Sequence, residues 1–155
     1  MITIRDYAPA DWQRVTEVHD AARLGELAAS VGVEAFLTLE QTYEGEGLFD
    51  GDLWVAELDG RVVGFLAFSD AEVTWMYVDP ACHRRGVGRA LLRHALERAG
   101  AEVELTVLDG NDAARALYES EGFVVTSTTT GRLVGNEAFT ATGHEMHWYR
   151  ERTVS

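Results

Sequence analysis

The chain has 155 residues, 46% of them hydrophobic, which suits one domain (residues 1–155) with one sizeable core and excludes a disordered segment. Its 26 acidic against 13 basic residues give a formal net charge of −13, so the basic footprint of a nucleic-acid binder is missing; a negative surface can attract cationic substrates, and its alternative role is solubility. No apolar run approaches the roughly 20 residues that span a bilayer, Met1-Ile2-Thr3-Ile4-Arg5 carries no signal-peptide apolar region, and the lone Cys82 cannot form an internal disulfide; no membrane partner and a reducing, cytoplasmic setting are expected.

Ile2 to Tyr7 alternates like a strand, with Ile2 and Ile4 on one face. Pro9-Ala10-Asp11 opens a helix that carries Trp12, Val15, His19 and Ala22 on one side. Ser30 is placed to cap a second helix through Val33, Phe36, Leu37 and onward, broken by Glu44-Gly45-Glu46-Gly47, with a loop over Gly47–Gly51. Leu53–Leu58 and Arg61–Ser69 flank Asp59-Gly60, a strong hairpin signal, and Glu72–Val78 follows as the third strand of an antiparallel meander. Alternation puts Glu72, Thr74, Met76 and Val78 on one face of that strand.

Gly86–Ala99 carries an apolar stripe of Leu91, Leu92, Ala95, Leu96 and Ala99 and ends at Gly100. Glu102–Val107 alternates as a strand, and Asn111 is placed to cap a helix that stops at Gly122. Phe123–Thr129 and His144–Arg150 look like two closing strands joined by a long, partly polar connection, Thr130–Gly143. The element order β-α-α-β-β-β-α-β-α-β-β predicts an α/β fold with a mixed central sheet of about seven strands and about four helices. The strand–helix–strand unit Val73–Val107 should be parallel with a right-handed crossover.

The most informative stretch is Val78-Asp79-Pro80-Ala81-Cys82-His83-Arg84-Arg85-Gly86-Val87-Gly88-Arg89, an apolar strand end, a turn and a basic glycine loop leading into a helix. A helix start presents unpaired N–H groups and the positive end of the dipole, and glycine lets a bulky anion approach that backbone. Arginine adds fixed charge with forked donors. The stretch predicts a pyrophosphate cradle. A Walker nucleotide loop is excluded, because no Gly-Lys-Ser/Thr follows four spacer residues.

These residues carry a resemblance. His83-Arg84-Arg85-Gly86-Val87-Gly88 resembles the Gln/Arg-x-x-Gly-x-Gly/Ala loop of the GNAT superfamily of acetyl-coenzyme A-dependent N-acetyltransferases, with His replacing the usual first residue. Asn111, Ala113, Ala114, Leu117, Tyr118, Glu119, Gly122 and Phe123 resemble the family's downstream Asn…Ala…Leu-Tyr-Glu…Gly-Phe block, at a fitting separation. The resemblance implies the GNAT-like fold, with a splayed parallel centre and a C-terminal hairpin, and acetyl-CoA as co-substrate with no metal. It implies direct transfer of the acetyl group to a primary amine: a small amine, an amino acid, an antibiotic, or a peptide or protein. A homodimer is common among relatives.

The implied donor site comprises Tyr77, Val78, His83, Arg84, Arg85, Gly86, Val87, Gly88, Arg89, Asn111, Ala114 and Tyr118. Amides of Arg85 to Arg89 would take the pyrophosphate, and backbone near Val78 the pantetheine, where an N–H could also meet the oxyanion. Tyr118 stands where many members place the tyrosine that protonates the departing thiolate; its alternative role is a half-buried aromatic packing the helix on the sheet. Glu72 is the candidate base, and a solvated carboxylate is its alternative. Tyr43, Glu44 and Thr74 are the acceptor candidates, with Glu40, Glu44 and Glu46 suiting a cationic amine. His144 and His147 differ by an odd number and point to opposite strand faces, which argues against a shared metal site there. His19 is expected to pack the core. Two other classes stay open: a non-catalytic acyl-CoA-binding sensor, and an interaction module.

Overall fold

The computed structural model describes residues Met1–Glu151. In chain order they form β1 (Ile2–Asp6), α1 (Trp12–Ala28), α2 (Leu39–Thr42), β2 (Asp52–Leu58), β3 (Arg61–Ser69), β4 (Glu72–Val78), α3 (Val87–Arg98), β5 (Glu102–Leu108), α4 (Asp112–Ser120), β6 (Val124–Leu133) and β7 (Asn136–Tyr149), with short 3-10 turns at Pro9–Asp11, Val33–Ala35 and Pro80–Cys82. The strands make one seven-stranded sheet in the order β1-β2-β3-β4-β5-β7-β6. The mixed α/β architecture expected from the element order is therefore present.

Asp59 and Gly60 both take left-handed φ angles, 54° and 81°, as a tight two-residue hairpin between β2 and β3 requires. The apolar residues divide between two faces. Val15 and Val18 of α1 pack with Leu39, Leu48, Val55, Phe65 and Trp75 on one face. On the other, Val87, Leu91, Leu92 and Ala95 of α3 pack with Leu66, Val73, Leu105, Tyr118, Phe123 and Met146. Each strand between them alternates its side chains into the two cores.

Gly64 marks the closest approach of α3 to the sheet. A methyl there would sit 3.0 Å from Val87 Cγ1, 3.1 Å from Leu91 Cδ1 and 3.2 Å from the Tyr77 carbonyl oxygen. Gly64→Ala should overpack this seam and cost about 1–3 kcal/mol, read as a lower urea midpoint with an unchanged slope; an unshifted midpoint would show that α3 can retreat freely.

The structure corrects four details of the sequence reading. First, Ser30 does not open a second helix. Its hydroxyl donates to the Glu26 carbonyl at 2.7 Å and Gly32, at φ +103°, donates its N–H to Leu27 O at 2.7 Å, so this segment closes α1. Only the short Val33–Ala35 turn and one-turn α2, capped by Thr38, follow. Second, Thr130–Gly143 is no long loop: β6 and β7 run through it as one hairpin turning at Val134-Gly135. β6 is an edge strand exposed on both faces, so it shows no apolar alternation to read. Third, a bulge between Ala67 and Phe68 of β3 breaks the period of β4, because Phe68 faces Val73 while Ala67 faces Trp75. Glu72 thereby shares the α1 face with Trp75 and Tyr77 instead of the face of Met76 and Val78. Fourth, Asn111 precedes α4 but makes no side-chain cap; its amide donates to Glu26 at 3.4 Å.

Candidate active site

β4 and β5 are parallel, as expected, but they register at a single pair, Glu72 with Glu104, backed by Glu104 N–H donating to Ala71 O at 2.9 Å. Beyond that point the two strands separate. The β5-facing N–H and C=O groups of β4 from Thr74 to Val78 meet no partner strand, which makes a fork in the middle of the sheet with open hydrogen-bonding edges.

The glycine loop stands at the mouth of this fork. Arg84 and Gly86 both adopt left-handed backbone, φ 66° and 82°, and Gly86 is the N-cap of the twelve-residue α3. The first hydrogen bond of that helix is Ala90 N–H to Gly86 O, so the N–H groups of residues 84–89 have no acceptor among the described residues. A Cβ at Gly86 would meet nothing within 4 Å, and His83, Arg84, Arg85 and Gly86 are exposed. The side chains of His83, Arg84 and Arg85 make no ion pair or hydrogen bond among the described residues, whereas the Arg89 guanidinium is tied back to Glu121 at 3.1 Å and to Ser120 Oγ at 3.1 Å. The result is a cradle of amides with two guanidinium groups beside it that pair with nothing among the described residues, which fits a diphosphate. Gly88 is needed for packing as well, since a Cβ there would lie 3.2 Å from Leu117 of α4.

Tyr118 of α4 is only 7% exposed and its ring lies 5.9 Å from that of Phe123. The hydroxyl has no protein partner, yet no partnerless polar atom is sealed from solvent among the described residues. It therefore keeps some contact with solvent. Burial and, secondarily, the charge of Glu26 push its phenol well above the ordinary value, so it stays protonated. Ala114 of the same helix is half-buried against the α3-side core.

Glu26, near the end of α1, is a residue the sequence reading missed. It accepts from the Tyr77 hydroxyl at 2.9 Å and from Asn111 at 3.4 Å, and it pairs closely with Arg23. The spacing His19, Arg23, Glu26 places a polar stripe on the buried side of α1, and that stripe was the available signal.

On the α1 face of β4 lies a cavity of about 260 Å³, walled by His19 and Arg23 of α1, Thr42, Glu46, Glu72, Thr74, Trp75, Tyr77 and the β6–β7 turn at Val134–Asn136. Glu72 and Thr74 are thus brought together with Tyr77. Tyr43 and Glu44 are not: Tyr43 packs edge-on to Trp12 at 5.0 Å and donates to Glu44 at 2.9 Å, outside the cavity wall. Burial, then Glu104 and Glu145, raise the carboxyl of Glu72, and burial raises that of Glu46. His19, predicted as a packing residue, does lie edge-on to Tyr77 at 4.9 Å, and it also lines this cavity. Burial lowers its pKa, and Nδ1 lies 2.9 Å from Asp20 Oδ1.

Across the β5–β7 register, His147 Nε2 lies 3.2 Å from Glu104 and 3.8 Å from Glu145, with Nδ1 held 2.7 Å from Thr126. These three ligand-type residues converge within 4.8 Å, while His144 turns to the other face and meets Asp109 at 2.9 Å.

Known proteins resemble this chain. Residues 49–125 match the family model described as "Acetyltransferase (GNAT) domain". The uncharacterized N-acetyltransferase YafP of Escherichia coli K12 is 30% identical over 125 residues, 79% of this chain and 81% of its own length. The peptidyl-lysine N-acetyltransferase YjaB of the same organism is 37% identical over 98 residues, 59% of this chain and 65% of its own. The solved structure of yncA, a putative acetyltransferase of Salmonella typhimurium with its cofactor acetyl-CoA, superposes with a TM-score of 0.70 at 26% identity, over 99% of this chain and 96% of that one. With relatives at this identity and coverage, and with the family model spanning the meander, the fork, the glycine loop and α4, the chain belongs to the GNAT family of acetyltransferases and is an enzyme of acetyl transfer.

Proposed function

We propose that the enzyme transfers the acetyl group of acetyl-CoA directly to a primary amine held in the α1-side cavity. One observation carries this reading: the six acceptor-free amides at the start of α3 stand at the mouth of a fork whose closed end, at Glu72, borders that cavity. Acetyl-CoA supplies an activated acetyl thioester. The amides of Arg85, Gly86, Val87, Gly88 and Arg89 hold its diphosphate, helped by Arg84 and Arg85, and the unpaired edge of β4 through Tyr77 and Val78 hydrogen-bonds its extended arm. Tyr118 Oη donates the proton that the departing thiolate takes up, and a Glu72 carboxylate oxygen accepts the proton that the amine must lose to become nucleophilic. Bringing the two substrates together from opposite faces of the sheet supplies the orientation that direct transfer needs. The reading carries a cytoplasmic setting, consistent with the free Cys82.

Calorimetry tests it. Acetyl-CoA should bind the purified chain with one-to-one stoichiometry, and Gly86→Val should weaken binding at least tenfold, because a β-branched residue cannot hold the left-handed cap. No association with the wild-type chain would overturn the proposal.

A further inference from the structure

The acceptor cavity is unusual in what its lining leaves free. The Thr42 hydroxyl donates to Thr38 O at 3.1 Å, Thr74 Oγ1 to Ala67 O at 3.3 Å, Trp75 Nε1 to Glu46 O at 3.2 Å and Tyr77 Oη to Glu26 at 2.9 Å. The hydroxyl and indole donors of the wall are therefore engaged inside the protein, and Arg23 pairs with Glu26. The acceptors are not. The carboxylates of Glu46 and Glu72 make no ion pair and no side-chain hydrogen bond among the described residues. His19 is 3% exposed with Nδ1 at Asp20, and its Nε2 lacks a protein partner without being sealed, so it opens into the cavity. With His19 neutral and its Nδ1–H donating to Asp20, Nε2 is also an acceptor.

Arg23, the cation in this wall, is paired with Glu26 and also lies near enough to Glu46 for its charge to be felt there, so it offsets only part of the negative charge that Glu26, Glu46 and Glu72 bring to the cavity, and a cationic ligand supplies the rest. Trp75 and Tyr77 contribute aromatic rings to the same wall.

The cavity is also small. Its volume of about 260 Å³ lies below the roughly 300–1,000 Å³ of sites for drug-sized ligands. The β6–β7 turn closes one side. Asn136 Nδ2 donates to Ala35 O at 3.0 Å, and a Cβ on Gly135 would lie 2.5 Å from Glu46 Oε2, so the turn rests on the Glu46 carboxylate. Glu72 marks the end nearest the fork and Glu46 the end beneath the turn.

Resting on the acetyl-transfer reading above, we infer that the acceptor is a compact diamine: one amino group lies beside Glu72 and is acetylated, and the second, as an ammonium, is held by Glu46 and His19 Nε2. The amine nitrogen bonds to the acetyl carbon as the carbon–sulfur bond breaks; the proton lost by nitrogen passes to Glu72, and the thiolate takes one from Tyr118. A lysine side chain on a peptide brings only one cation and leaves Glu46 with no ammonium partner.

Two measurements test this with separate failures. Thiol release from acetyl-CoA is followed with 1,4-diaminobutane, 1-aminobutane and a lysine-containing peptide. The diamine should exceed both others in kcat/KM by at least tenfold, and Glu46→Gln should shrink the diamine-to-monoamine ratio about tenfold. Calorimetry with coenzyme A present should show the diamine binding at least tenfold more tightly than the monoamine. Turnover or binding that is equal for the two amines, or a peptide that outcompetes the diamine, overturns the inference and leaves the acetyl-transfer reading standing. Selective diamine binding without thiol release from any amine would support the diamine site and sink that reading instead.

Discussion

Tyr118→Phe should lower kcat by about 10²–10³-fold, the range expected when a positioned proton donor is removed, while acetyl-CoA binding and the thermal midpoint stay within error of the wild type. The separation of effects follows from the geometry. The ring is buried against Phe123 and the α3-side core, and phenylalanine keeps all of that packing. The hydroxyl makes no hydrogen bond among the described residues, so its deletion orphans none of their polar groups. Raised above its ordinary value by burial and by Glu26, the phenol remains protonated at neutral and mildly alkaline pH, so it should not produce an alkaline limb in the rate profile near the usual tyrosine value. The variant should therefore lose rate evenly across pH. If kcat with the best amine falls less than threefold, Tyr118 is a packing residue and the thiolate is protonated by water.

The glycine loop was legible because it depends on local backbone chemistry. Gly86 and Gly88 between two arginines and an apolar helix point to a helix start with free amides, and the structure has a left-handed Gly86 cap and acceptor-free N–H groups there among the described residues. The meander, the Asp59-Gly60 turn and α3 followed from period and turn residues in the same way. The α1-side cavity was legible only in part: Glu72, Thr74 and Glu46 were read as candidates and do line it, but Arg23 and the Val134–Asn136 turn were not, because much of its wall comes from segments with weak or interrupted periodicity. Glu46 lies in a glycine-broken stretch, and Val134–Asn136 lie at the tip of an edge hairpin whose threonines show no buried face. The phase of β4 was lost for a different reason. A bulge inserts one residue opposite β3, and alternation carried through it assigns Glu72 to the wrong face. Glu26 was hidden by distance: its partners Tyr77 and Asn111 lie 51 and 85 residues away.

Glu72 is the group through which pH should control the enzyme. Its carboxyl is raised by burial first, then by the neighbouring charges of Glu104, its strand partner, and Glu145; His147 faces the same carboxylates, and Glu46 shares the cavity. As the proposed base it would work only when ionised, so kcat/KM should climb with pH through a limb lying above the ordinary glutamate value. Glu72→Gln should remove that limb and cost about 10²–10³-fold in kcat/KM at pH 7. The same substitution should not weaken folding at neutral pH. A carboxyl raised in the folded state favours folding when protonated, and that contribution is lost as pH rises, so a neutral amide removes a liability. Glu104→Gln gives the decisive control. Deleting a like charge beside Glu72 makes its ionised form easier to reach, so the limb should move to lower pH while the plateau rate is kept. A limb that survives Glu72→Gln, or fails to move in Glu104→Gln, would assign the amine's proton to another acceptor. His19 Nε2 is the next candidate in the same cavity wall, and His19→Gln would then be the variant that abolishes the limb.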